Sequence, residues 1–339
     1  MFCDSNIRPS VCLARTLTDN TQSIEKSDEF NFDRTLKEKW EDAKKKGVFR
    51  YILNIKNSKF LTGKYQFLAQ LNTDRGHKRR FPQSIISLTQ PFDEKCFNFT
   101  HLPPEEKVID LNEDDIIAIN VSPIEYCHSL LIPERCKQLP QVVTKYSLYK
   151  ALDIFLLSHD SYIRVAFNSL CAYSSVNHLH WHLYYLNHRM LLEYIDLEEY
   201  MGPIQILRNY PANGFCIKQS NVKNIDELVN WAFLIIDYLQ TTEIAHNIYI
   251  TRAMTDSGKQ HEDLRIYIWA RKSSVGIKDT NVFIPAVCEF FGHLSIKSEE
   301  MYENLSEEYV ANILKNVTEE YFLLVFDEVK HLIKKHMPT

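Results

Sequence analysis

Asn177-His178-Leu179-His180-Trp181-His182-Leu183-Tyr184-Tyr185 is the stretch of this chain that decides its reading. Its spacing predicts a strand over residues 178–186, because side chains two apart share one face of an extended chain. His178, His180 and His182 then line one side, while Leu179, Trp181 and Leu183 pack the other. Three imidazoles in strict alternation are hard to satisfy as core residues, and with an apolar face behind them they read as a site. Two chemistries use such a row. In one, the H-x-H pair His178 and His180 binds a metal such as Zn²⁺, with a third ligand elsewhere and an open position for water. In the other, one imidazole attacks phosphorus, and its neighbours orient it and give a proton to the leaving oxygen. Spacing alone leaves both open.

Around this stretch, residues 115–121, 128–132, 163–168 and 190–195 are rich in β-branched and aromatic side chains and read as further strands of a sheet. Leu148, Ala151, Leu152, Phe155 and Leu156 recur at helical spacing within 142–158. Leu36, Trp40 and Ala43 mark an amphipathic helix over 33–46, with Gly47 as its stop. Residues 51–55 and 65–71 read as strands ahead of the basic run Arg75-Gly76-His77-Lys78-Arg79-Arg80. Past residue 200 a helix is expected over 226–240, strands over 246–251 and 264–270, and helix from Ser306 onward, Ser306 capping and Glu307 and Glu308 in the first turn. Residues 1–28 carry no pattern and read as a flexible tail. No linker interrupts the rest. The expected organisation is a catalytic half over 29–200, carrying the triad, and a second half over 201–339 that completes a shared core.

Composition removes several classes of function. The chain has 339 residues, of which 45% are hydrophobic, so it can bury a sizeable core. Its eight glycines fall well below the roughly 7% usual in proteins. None are spaced as G-x-G-x-x-G or as a P-loop, so any nucleotide is held without either device. A net charge of −5 offers no broad positive field, and no nucleic-acid partner is expected. No stretch reaches the ~20 apolar residues of a membrane helix, and no signal-peptide core stands at the N-terminus. Eight cysteines without a C-x-x-C read as reduced thiols of a cytoplasmic protein. Asn98, Asn120, Asn304 and Asn316, which begin glycosylation-type triplets, then carry no meaning.

With these limits set, His178-Leu179-His180-Trp181-His182-Leu183-Tyr184 resembles the H-φ-H-φ-H-φ-φ signature of the histidine-triad superfamily of nucleotide hydrolases and transferases. Residues 119–126 with His128 and Leu130-Leu131-Ile132-Pro133 are similar to the strand–turn–strand that precedes the triad there. Within the superfamily the resemblance narrows to the animal GDP-D-glucose phosphorylase family, related to galactose-1-phosphate uridylyltransferase and plant GDP-L-galactose phosphorylase. Residues 67–72, Arg75-Gly76, Lys78-Arg79-Arg80, Pro82-Gln83, residues 97–99, 167–170 and 175–180, and Glu289 with Gly292-His293-Leu294 carry that narrower likeness.

The resemblance implies an α+β fold of the histidine-triad type, an antiparallel sheet flanked by helices. It implies GDP-D-glucose and inorganic phosphate as substrates, no cofactor and no metal. His180 becomes the nucleophile that takes the guanylyl group, releasing glucose 1-phosphate, and phosphate then discharges it as GDP. His182 is the expected donor to the bridging oxygen and His178 the expected orienter of His180. Asn168 and Ser175 stand where phosphate contacts fall, Asn177 lies within the same motif, and Arg75, Lys78 and Arg80 are candidates for the diphosphate. Three positions depart from the family pattern: Cys127, Cys171 and Leu183 stand where glycine is expected, and glycine permits close approach or a positive φ. The third triad position is His, as in triad hydrolases, where uridylyltransferases and the plant enzymes carry Gln. A GDP-sugar hydrolase, a metal-dependent hydrolase and a non-catalytic GDP-sugar binder therefore stand as alternatives.

Overall fold

The computed structural model describes residues 30–276, 283 and 285–337, so the tail expected over 1–28 lies outside the described residues. The described residues open with a capped helix. The Asn31 side chain accepts from Arg34 N at 2.9 Å and starts α1 (Phe32–Lys45). Its face of Phe32, Leu36, Trp40 and Ala43 is buried, and Gly47 follows the helix in the left-handed region at φ +69°. Strands β1 (Asn57–Phe60) and β2 (Leu68–Leu71) then pair antiparallel. The first part of the basic run lies in a short helix, α2 (Thr73–Lys78); the Asn72 side chain caps it by accepting from Arg75 N.

Ten strands form one sheet with only antiparallel pairs. They are β3 (Lys107–Asp110), β4 (Ile116–Ile119), β5 (Ser129–Ile132), β6 (Ile163–Asn168), β7 (Trp181–Tyr185), β8 (Glu198–Met201), β9 (Ile204–Leu207), β10 (Gly214–Lys218), β11 (His246–Ala253) and β12 (Asp263–Ala270). Their spatial order is β3-β4-β5-β7-β6-β11-β12-β10-β9-β8. The chain's two halves join where β6 pairs with β11, Phe167 opposite Ile248 and Asn168 opposite Asn247. The sheet thus runs unbroken across residue 200, which itself lies inside β8.

Period-two alternation sorts the side chains into two layers. On one face Val165, Phe167, Trp181, Leu183, Ile248, Ile250, Ile266 and Ile268 pack against α1, α3 (Lys145–Leu157), α4 (Ile225–Thr241) and the 30-residue helix Glu307–His336. On the other, Ala166, Tyr184, Tyr249, Tyr267 and Trp269 meet the small sheet and the short helix α5 (Val287–Phe290). There β13 (His293–Ile296) adds to β2 in parallel, His293 opposite Leu68. After α6 (Glu299–Asn304), α7 is the long helix Glu307–His336; Ser306 caps it, Glu307 and Glu308 fill its first turn, and Lys334, Lys335 and His336 its last. Among the described residues no helix is long and apolar enough to cross a membrane.

Three expected strands differ. Residues 51–55 are irregular, because Tyr51 is tied down by its hydroxyl, which donates to Pro123 O, instead of by a neighbouring strand. Residues 190–195 hold a 3₁₀ turn over Leu191–Glu193; the Glu193 carboxylate accepts from Met190 N at 3.0 Å and pairs with buried Arg164, which competes with ladder formation. Strand β7 starts at Trp181 and not at His178. The backbone just ahead of it bonds to the 139–141 loop: Leu179 N donates to Leu139 O, and the Gln141 amide both accepts from His180 N and donates to His180 O.

Trp181 sits at the centre of the helical layer, fully buried with its ring 5.0 Å from Phe167. Trp181→Ala is expected to cost about 3–5 kcal/mol of stability, read as a lower urea midpoint at unchanged m; a midpoint within error of the parent would contradict the packing described.

Candidate active site

On the small-sheet side of β6 and β7 the surface opens into a cleft of about 530 Å³. Its lining includes His180 and His182 around the start of β7, Asn168 at the end of β6, His128 at the start of β5, and Ser175 and Tyr173 from the loop between β6 and β7. Arg75, Arg79 and Arg80 enter from α2 and the residues after it, and Glu289 and Lys297 from the C-terminal half.

His180 is 3% exposed and held at three points. Gln141 brackets its backbone, with 2.8 Å from His180 N and 3.0 Å to His180 O. Its ring stands edge-on to Phe99 at 5.1 Å. Nδ1 lies 2.7 Å from the His178 carbonyl oxygen. A carbonyl only accepts, so Nδ1 carries the proton, and in the neutral ring the lone pair belongs to Nε2. This bond fixes which nitrogen can act as a nucleophile.

His178 serves through that carbonyl and not through its ring. The expected row of three imidazoles on one face is not formed, because residues 177–180 precede the strand and follow no strict alternation. The His178 ring packs against Phe92 and Phe99, accepts from Phe99 N at 3.0 Å on Nδ1, and is absent from the cleft lining. Burial pushes its pKa down to about 4. His178 and His180 therefore do not share a chelating face. Among the described residues no group of three or more His, Cys, Asp or Glu side chains is placed to hold a metal ion.

The row is completed instead by His128, whose ring is 5.2 Å from that of His182, itself 5.1 Å from that of His180. Ile124 N–H donates to His128 Nδ1 at 3.1 Å, which leaves the ring proton on Nε2. That nitrogen is 3.0 Å from His182 Nδ1, with Asn120 against the same edge at 3.2 Å. His182 Nδ1 is thus an acceptor, and its proton sits on Nε2. Burial, with the charge of Arg75 next, holds His128 well below the ordinary imidazole range, so His128 stays neutral. Beneath it Tyr184 bonds His293 Nδ1 at 2.9 Å, His293 Nε2 meets Gln70 Oε1 at 2.7 Å, and Gln70 donates to Glu125 at 2.8 Å. The chain of bonds ties β7 to β13 and β2 of the small sheet.

The other sequence-derived candidates separate. Asn168 and Ser175 line the cleft. Asn168 Oδ1 accepts from Asn247 at 2.8 Å and from Val287 N at 2.9 Å, leaving the amide nitrogen as its remaining donor group. Asn177 lies outside the lining; it accepts from Gln141 N and donates to Gln90 O and Pro91 O, clamping the loop. Arg75 lines the cleft and donates to Ser122 O and, at 3.5 Å, to Tyr51. Arg80 lines it too, paired with Glu106 at 3.7 Å and stacked on Phe97 at 3.5 Å. Lys78 is exposed, paired with Asp74 at 3.3 Å, and points elsewhere. Gln141, Arg79 and Lys297 escaped the sequence reading. Arg79 stood in the basic run; Gln141 and Lys297 reach the site only through the fold.

The three departures from glycine resolve into two kinds. Cys127 and Cys171 adopt φ +59° and +57°, the left-handed backbone that glycine takes most readily, so each carries strain of roughly 1–2 kcal/mol. Leu183 is ordinary strand, fully buried in the helical layer.

Comparison with known proteins places this geometry. In solved structures the fold is similar to yeast Ap4A phosphorylase Apa2: its complex with Ap4A gives a TM-score of 0.59 at 16% identity, covering 86% of this chain and 98% of that one. The complex with AMP gives 0.57 over the same shares. The architecture is therefore of the mixed α+β class that this solved structure shows. Within that class, residues 31–184 match the domain described as "GDPGP1-like, N-terminal domain" and residues 195–337 the "GDPGP1-like, C-terminal domain". The chain belongs to the GDPGP1-like family. GDP-D-glucose phosphorylase 1 of Danio rerio is 36% identical over 90% of each chain, and that of Homo sapiens 38% over 81% of this chain and 76% of its own. GDP-L-galactose phosphorylase 2 of Arabidopsis thaliana is 35% identical over 86% of this chain and 74% of its own.

If His128 sets the tautomer of His182, His128→Phe lowers kcat by about 10-fold or more, a fraction of the 10²–10³ that one aimed hydrogen-bond donor supplies. Single-turnover kinetics check this, with thermal melting to confirm the fold. An unchanged kcat would separate His128 from the chemistry.

Proposed function

We propose that the chain catalyses phosphorolysis of GDP-D-glucose to GDP and glucose 1-phosphate by two displacements at His180. The observation that carries this reading is the 2.7 Å bond from His180 Nδ1 to His178 O, which assigns the lone pair to Nε2 in a ring set in the cleft. In the first step Nε2 attacks the α-phosphorus, and the bond to the bridging oxygen breaks with its electron pair leaving on glucose 1-phosphate. His182 Nε2–H hydrogen-bonds that oxygen as charge develops on it and keeps its proton, because the departing phosphate is stable as an anion. In the second step a phosphate oxygen attacks the same phosphorus, the P–N bond breaks, and its electron pair returns to Nε2. Two in-line transfers replace one reaction between anions.

The supporting groups suit the charge that develops. Asn168 and Ser175 supply donors for the non-bridging oxygens, a role that glycine-loop amides play elsewhere. Asn168 is aimed by Asn247 from β11, so the C-terminal half helps position the N-terminal site. The names of relatives at 36–38% identity support GDP-glucose as the donor, and the plant relative supports a GDP-hexose more broadly. Free thiols at all six described cysteines favour a cytoplasmic setting.

Intact-protein mass after mixing with GDP-glucose in phosphate-free buffer tests the mechanism. A guanylyl-sized adduct is expected on the parent and absent from His180→Asn, whose turnover should fall on the order of 10⁴-fold or more. Discharge by phosphate should yield GDP; release of GMP whatever the phosphate concentration would make the enzyme a hydrolase instead.

A further inference from the structure

Three cations converge on the His128 side of the cleft. Arg75 comes from α2, Arg79 from the residue just after it, and Lys297 from the residue after β13. The approach is close: a Cβ built on Gly76 would already be in van der Waals contact with Lys297 Cβ, at 3.4 Å. Their neighbours in the basic run are charge-compensated, Arg80 by Glu106 and Lys78 by Asp74. Arg75 instead donates to neutral oxygens, Ser122 O and the Tyr51 hydroxyl. Arg79 buries Nε and Nη2 with no hydrogen-bond partner among the described residues, an arrangement that is costly unless a ligand supplies acceptors. The nearby carboxylate, Glu289, is engaged by the Cys288 thiol at 2.9 Å and is itself pushed towards protonation by burial.

The cations disturb one another accordingly. Burial first, then the charge of Arg75, lowers Arg79 to about 10 and Lys297 to about 8. Like charges held together in a cleft define a place for a multiply charged anion. Arg75 also acts on His128, and His128 bonds His182. Arg75 of the cluster thus stands within reach of the His128–His182 pair, in the same cleft as His180.

Resting on the phosphorolysis proposed above, we infer that Arg75, Arg79 and Lys297 form one phosphate subsite used twice. It takes the β-phosphate of the departing glucose 1-phosphate in the first displacement and the attacking inorganic phosphate in the second. In-line transfer places the leaving and the attacking oxygen at the same point opposite His180, so one subsite serves both. Phosphate keeps its own proton, forms the new P–O bond and displaces Nε2. Selection of phosphate over water follows from this cluster, because water gains nothing from it.

The test isolates the guanylyl-enzyme and follows its discharge against phosphate concentration; the slope reports phosphate and the intercept water. For Arg79→Gln the slope-to-intercept ratio is expected to fall roughly 10- to 100-fold, as loss of a charge-assisted hydrogen bond implies. Arg79→Lys should recover part of it. Adduct formation in these variants reports that the site is folded. A parental ratio in Arg79→Gln would overturn the subsite while leaving phosphorolysis standing. Absence of adduct from the parent protein would overturn phosphorolysis itself and the subsite with it.

Titration supplies a second arm. Lys297 is faced by Arg75 and Arg79 from α2 and its exit, and by Cys288 and Glu289 from α5. Its charge is present below a pKa of about 8 and is lost as pH rises through it. The phosphate slope of the parent should therefore decline between about pH 7 and 9 relative to that of Lys297→Arg, which stays charged. Parallel profiles for the two proteins would remove Lys297 from the subsite.

Discussion

The chemistry of the cleft depends on one main-chain carbonyl. His178 O accepts a hydrogen bond from His180 Nδ1–H, and from that bond follow the tautomer and the position of the lone pair. The carbonyl can do this because residues 177–180 are not yet strand. Gln141 and the 139–141 loop hold the backbone there, so a main-chain oxygen that a ladder would consume is turned to a side chain. Just after, β7 begins, and period-two alternation puts Trp181 and Leu183 into the helical layer and His182 into the cleft.

A second consequence is the sharing of proton positions along the row. Ile124 N–H fixes His128, His128 fixes His182, and burial keeps His128 neutral. Low dielectric makes such a chain strong when every member is satisfied. The network beneath it, Tyr184, His293, Gln70 and Glu125, binds the central sheet to the small sheet, so the site and the junction of layers stiffen together. The C-terminal half contributes Asn247, Glu289 and Lys297 around a cleft whose His180 is N-terminal, and the two halves share one continuous sheet.

Much of this was legible in the chain. The helices of residues 33–46 and 142–158 appeared at the expected places, because apolar spacing and caps act locally. The strands of 163–168 and 264–270 did as well. What failed were segments where a side chain captures the backbone: Glu193 turned 190–195 into a 3₁₀ turn, and Gln141 delayed the start of β7. A contact across 39 residues, such as Gln141 to His180, leaves no periodic trace.

The sequence by itself determined the chemical inventory: an H-x-H-x-H stretch, a basic run with its arginines, too little glycine for a phosphate loop, and a resemblance that named the family. Tertiary structure decided which of those groups meet. It turned the His178 ring away and enlisted its carbonyl, brought His128 into the row, set Lys78 outside the cleft, and carried Lys297 to Arg75 and Arg79. The physical reason is that periodicity encodes which side of an element a residue occupies, whereas hydrogen bonds between distant segments fix where that side faces.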